Sequence, residues 1–166
     1  FKNFNASFNR RLIFMYSKFG QFIDGKWQAS SSNETYDVIN PATEDIIGKA
    51  SKASVADVDK ALKSAEKGFE TWKKFTPWDR ARIIRKIADL IRKKNNELAK
   101  WMTLETGKPL SEGLAEASGS ADIFEWNAEE TKRIYGQTVE SRFQNTRVLI
   151  NYEPVGVVAA LSPWNF

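Results

Sequence analysis

The sequence predicts an α/β chain in which a small antiparallel β element leads into about four helices and then into a strand of parallel-sheet character. Three observations carry that prediction. Turn residues break up the segment before residue 51, and apolar residues recur at helical spacing from Val55 to Ala128. Six of the seven residues 155–161 are apolar, the pattern of a strand covered on both faces.

The elements follow in chain order. Asp24-Gly25, between the short aromatic-bearing flanks of "QFIDGKWQ", is the strongest local hairpin signal. A second hairpin is expected from strand-like residues 36–39 and 45–50, joined by Asn40-Pro41-Ala42-Thr43, where proline fixes one dihedral of the turn. Ser54 with Asp57 three residues later is a capping box, and Val55, Val58, Leu62, Ala65, Phe69 and Trp72 then line one helix face. Thr76-Pro77 with Asp79 opens the next helix, whose apolar face holds Ile83, Ile84, Ile87, Leu90 and Ile91. A third helix begins near Asn95 or Asn96 and stops at Gly107, with Pro109 just beyond. The fourth runs from about Leu110 to Gly136, and its small residues Gly113, Ala117, Gly119 and Ala121 would let another backbone come close. A polar extended loop and a strand around residues 147–152 precede Pro154, which breaks the chain before the apolar run.

Composition narrows the chemistry. The 166 residues are 42% hydrophobic and 28% charged, ordinary for a globular chain with a real core. The net charge of +4 is small, and its signs are segregated: residues 79–100 hold eight Lys/Arg against three acids, residues 105–140 eight acids against three bases. That fits two faces of a helical layer better than a nucleic-acid groove. With no Cys and no His, the stretch has no disulfide, no nucleophile paired with histidine and few options for zinc. No apolar run reaches the roughly 20 residues a membrane span needs. Residues 1–20 read as a leader or tail: they carry Lys2, Arg10, Arg11 and Lys18 and no acid, compatible with an organellar targeting peptide, a start at Met15 or an upstream extension.

Few residues speak of catalysis. No two glycines flank a single residue, so the dinucleotide fingerprint and the phosphate-binding P-loop are both missing from the sequence. Glu105 and Lys108 could be a catalytic pair, or simply a helix end with its terminal glycine and a lysine near the last carbonyls. Glu125, Glu129 and Glu130 could hold a metal, or with Lys132 and Arg133 form a solvated helix face. Trp164 and Asn165 follow the apolar run, where residues past a strand's carboxyl end line the ligand crevice of open α/β sheets. An amide there can donate to a developing oxyanion, worth about 3 kcal/mol in the transition state. The plain alternative is a turn in which the indole packs and the amide bonds backbone.

"SPWNF" directly after "EPVGVVAAL" resembles the signature near the front of the aldehyde dehydrogenase superfamily. "FIDGKW", "VINPATEDIIGKA", "MTLETGKPL" and "EWNAEETKRIYG" resemble its N-terminal hairpins and helices in order and spacing, so the likeness covers about residues 21–166. The resemblance implies the front of a Rossmann-like domain for NAD or NADP: residues 21–137 as its N-terminal part, 138–153 as a loop and subunit-association strand, and 154–166 as the first sheet strand, cut short. It assigns Asn165 as oxyanion donor, Ser162, Pro163, Trp164 and Asn165 as cofactor contacts, and Phe166 as a wall of the substrate tunnel. The implied reaction runs through a Cys thiohemiacetal and a thioester, with the Cys and a general-base Glu beyond Phe166, so the 166 residues alone are expected to be inactive.

The blocks look most like the succinate-semialdehyde dehydrogenase branch, with betaine aldehyde and other aldehydes as alternatives. A homodimer or homotetramer is implied, with a small aldehyde as partner and neither nucleic acid nor membrane. The compartment expected is the cytoplasm, or the mitochondrial matrix if the basic leader is a transit peptide. The competing reading is a non-catalytic interaction module that pairs through the strand at residues 147–152.

Overall fold

A computed structural model describes residues 20–163. The expectations for residues 1–19 and for Trp164, Asn165 and Phe166 therefore lie outside the described residues. Strand β1 (Gln21–Ile23) pairs antiparallel with β2 (Lys26–Gln28). Asp24 and Gly25 between them take φ of 52° and 74°. Both values are positive, as the turn type that matches strand twist requires. Phe22 faces Trp27 across the pair, with ring centroids 5.0 Å apart.

β3 (Thr35–Ile39) and β4 (Ile46–Ser51) form the second hairpin, with a bulge between Val38 and Ile39. Its turn is built on Asn40, whose Oδ1 accepts from the Ala42 N–H at 2.9 Å while its carbonyl accepts from the Glu44 N–H at 2.8 Å. Pro41 sits where no N–H is needed. Ile47 of β4 is 1% exposed, the largest side chain buried so completely among the described residues.

Helix α1 (Val55–Trp72) starts at the Ser54 cap with both halves of the capping box made. Helix α2 (Pro77–Lys93) starts at Thr76, whose hydroxyl accepts from the Asp79 N–H at 3.2 Å. Helix α3 (Asn95–Thr106) ends at Gly107, which takes the left-handed conformation at φ 75°. Helix α4 (Leu110–Glu130) passes into a 3-10 turn, Thr131–Arg133. It thus ends short of the expected Gly136. Thr131 returns its hydroxyl to the Asn127 carbonyl at 2.8 Å as the chain tightens.

The helical core is made of alanines. α4 packs along both α2 and α3, with Ala81 and Ala88 of α2, Ala99 of α3, and Gly113, Ala117, Ala121 and Ala128 of α4 all buried. Small residues at intervals of four and seven keep one side of α4 smooth, so neighbouring backbones come near. At Gly113 the approach is close, with an added Cβ standing 2.9 Å from the Ala99 carbonyl oxygen. Gly119, expected to share that role, faces open space.

The remaining elements depart further from expectation. Residues 137–146 are not all loop: β5 (Gln137–Glu140) pairs antiparallel with β6 (Arg147–Ile150). β5 was hidden by its polar residues, because a hairpin open on both faces shows no apolar alternation. The apolar run at 155–161 forms no strand, and its side chains are exposed, Leu161 at 96%. A strand needs a ladder partner, and each described hairpin pairs only with itself. All three sheets are antiparallel. The α1 stripe likewise stays largely open, with Val55 81% exposed, although α1 packs on β1.

Candidate functional site

The structure resolves the ambiguous carboxylates first. Arg92 of α2 donates to Asp122 at 2.9 Å and also to Glu125, and Arg85 donates to Glu129. Lys132 reaches Glu129 at 2.6 Å and lies over the Trp78 ring, 5.0 Å from its centroid. The Lys132 ammonium, with Arg85 behind it, holds the Glu129 carboxyl below its ordinary value. Asp122 and Glu125 hold the Arg92 guanidinium more firmly protonated still. The basic face of α2 and the acidic face of α4 are therefore partners across a helix seam, as the segregated charges implied. Among the described residues no group of three or more His, Cys, Asp or Glu could hold a metal ion.

Glu105 and Lys108 follow the structural alternative in most respects. Glu105 lies in the last turn of α3, and Lys108 follows the Gly107 cap. The Lys108 side chain is 10% exposed and its ammonium pairs with Glu116 of α4. At Gly107 an added Cβ would meet Pro41 Cγ at 3.0 Å, so the "NPAT" turn and the "TGKP" turn touch. Two motifs far apart in the chain become one junction between the β3–β4 hairpin and the end of α3.

Asp57 is the polar centre that sequence reasoning saw only in part. As a cap residue it was expected near the helix start. In the structure it is 3% exposed and accepts hydrogen bonds from Ser54, Ser30, Ser31 and Gln21. The Ser54 N–H is the main cause that holds its carboxyl far below the ordinary carboxylate range, with Ser31 and Ser30 adding to it. The serine run 30–32 was the available signal, because such a run offers several donors to one acceptor.

The segment leading to the expected catalytic residues can be followed as far as Pro163. Residues 151–163 carry no regular structure, and Ser162 and Pro163 are exposed. Gly156, at φ 102°, and Val157 border a cleft beside α1 that Phe69 also lines. The described residues do not form a dinucleotide pocket by themselves: of the expected cofactor contacts they include only Ser162 and Pro163, and no described loop has paired glycines.

The aldehyde dehydrogenase family model matches residues 27–166, a span that takes in both touching turns, the alanine core and the "SPWNF" end. This chain belongs to the aldehyde dehydrogenase family. It is 39% identical over 145 residues to a glutarate-semialdehyde dehydrogenase of Pseudomonas aeruginosa, covering 87% of this chain and 30% of that protein. It is 40% identical over 146 residues to succinate-semialdehyde dehydrogenase [NADP(+)] 2 of Schizosaccharomyces pombe, with the same coverage. Among solved structures, a double mutant of Staphylococcus aureus betaine aldehyde dehydrogenase in complex with NAD+ superposes with a TM-score of 0.85 at 34% identity, covering 93% of this chain and 31% of that one. The chain thus spans about 30% of the length of the aldehyde dehydrogenases it matches. Its hairpins and helices are those of the family's N-terminal part.

Proposed function

We propose that this chain supplies the N-terminal part of an NAD(P)-dependent aldehyde dehydrogenase that oxidises a small semialdehyde, succinate semialdehyde first among them, to the carboxylic acid. The observation that carries the reading is the family match through residues 27–166, which takes in Pro163-Trp164-Asn165. Relatives named for succinate and glutarate semialdehyde support the substrate class. Betaine aldehyde is the second substrate reading, supported by the structural likeness to a betaine aldehyde dehydrogenase.

In this reading residues 21–137 belong to the cofactor-binding domain and residues 138–153 carry the association arm. Residues 154–166 become the first sheet strand once the rest of that domain offers the ladder partner that the described residues lack. Asn165 donates its amide N–H to the oxyanion that forms when a thiolate adds to the aldehyde carbonyl. Trp164, with Ser162 and Pro163, borders the nicotinamide dinucleotide, and Phe166 walls the aldehyde's path. The nucleophile comes from another part of the protein, because the chain has no Cys, and the family resemblance assigns the general-base Glu to that part as well.

Steady-state kinetics of the full-length protein test this, with succinate semialdehyde, glutarate semialdehyde and betaine aldehyde, each with NAD and NADP. The expected result is the highest kcat/KM for one of the two semialdehydes. A preference for betaine aldehyde would replace the substrate reading, and no aldehyde-dependent reduction of either dinucleotide would overturn the enzymatic one.

A further inference from the structure

Asp57 does more than cap α1, because its carboxylate gathers donors from three separate stretches of chain. The Ser54 N–H and hydroxyl reach it at 2.9 Å each from the helix start. The Ser30 hydroxyl at 2.9 Å and the Ser31 N–H at 3.1 Å come from the β2–β3 connection, and the Gln21 amide at 3.3 Å comes from β1. That connection is tied onward to the second hairpin. The Ser30 N–H donates to Ser51 Oγ at 3.0 Å, and the Lys52 N–H to the Glu34 carbonyl at 2.9 Å.

Apolar packing seals the same junction poorly. Between the first hairpin and α1 runs an open cleft of about 560 Å³, lined by Phe22, Ile23, Ala61, Ala65, Gly68 and Trp72 among others. Phe22 and Trp72 remain partly exposed there. Where apolar contact is loose, a charged acceptor with several donors is the stronger tie, since bonds to ionised groups are about twice as strong as neutral ones.

We infer that Asp57 is a latch holding residues 20–33 on the helical layer, and that this segment opens as a unit of its own when the carboxylate is lost. The inference rests on the geometry around Asp57 and not on the proposed activity. Segments with few buried apolar contacts open locally at a fraction of the global unfolding free energy. Replacing Asp57 with Asn keeps the size but turns an NH2 group toward N–H donors that need an acceptor.

Amide hydrogen exchange of the full-length protein tests this on wild type, Asp57→Asn and Ser30→Ala. In Asp57→Asn, amides of β1 and β2 should exchange faster by about tenfold or more, with α2, α3 and α4 unchanged. Ser30→Ala leaves the α1 cap intact and removes one tie, so it should raise exchange in the same segment by a smaller factor. It keeps the test open if Asp57→Asn does not fold. Unchanged exchange in β1 and β2, or an equal increase in every element, would overturn the latch.

Discussion

Three carboxylates show at the residue scale how local donors set the response to acid. Asp57 is lowered chiefly by the Ser54 N–H, Asp79 chiefly by the Thr76 hydroxyl, and Glu129 chiefly by Lys132. Each folded value lies below its ordinary one, 3.8 for the aspartates and 4.5 for the glutamate. Their stabilisation is therefore complete above those values and is lost as pH falls through the folded ones. The thermal midpoint should stay level near neutral pH and drop below about pH 4. A melting series by circular dichroism checks this, and Asp57→Asn should flatten the drop; a variant that keeps the full acid dependence would remove Asp57 from the account. Asn165 carries the catalytic prediction at this scale. If the proposed oxyanion role holds, Asn165→Ala in the full-length protein should lower kcat by about 10² to 10³ with little change in cofactor affinity. Unaltered kcat would withdraw the oxyanion role.

Packing decides outcomes at the scale of elements. Alanine normally favours a helix interior over glycine by about 1 kcal/mol. At Gly113 that gain competes with an added Cβ 2.9 Å from the Ala99 carbonyl and 3.2 Å from its Cα, both backbone atoms that move only with the whole of α3. Overpacking of this kind costs about 1–3 kcal/mol, so the clash should win. Gly113→Ala should thus lower the urea midpoint of unfolding, whereas Gly119→Ala, which meets open space, should hold or raise it. The reverse order would show that α3 and α4 have room to part. The spacing of small residues announced the seam and, at about 3.6 residues per turn, sets Gly119 off the face shared by Gly113, Ala117, Ala121 and Ala128. Which backbone meets that face was decided only by the packing of α3 on α4.

Association belongs to the whole molecule. The β5–β6 hairpin is exposed on both strands and presents Val139, Val148, Leu149 and Ile150. A two-stranded ribbon is marginal alone and offers unpaired edges to another chain. As the proposed association arm, it should lose its partner when a charge replaces an apolar contact. Leu149→Asp in the full-length protein is expected to shift the mass measured by light scattering to a smaller assembly. An unchanged mass would place the subunit contact elsewhere.

The sequence by itself determined the elements whose signals are local. Asp24-Gly25 specified its turn through positive φ, Ser54-Asp57 and Thr76-Pro77 specified helix starts through their donors, and Gly107 specified a helix end. The motif blocks named the family without coordinates, because five of them stand in register. Only the tertiary structure decided what depends on partners distant in the chain. It set Pro41 against Gly107, gave Arg92 to Asp122 and Glu125, turned a cap residue into the meeting point of three segments, and paired the polar residues 137–140 with β6. It also left the apolar run at 155–161 without a strand. Hydrophobicity states that a segment can be buried, but a ladder forms only where another strand supplies the matching N–H and C=O groups.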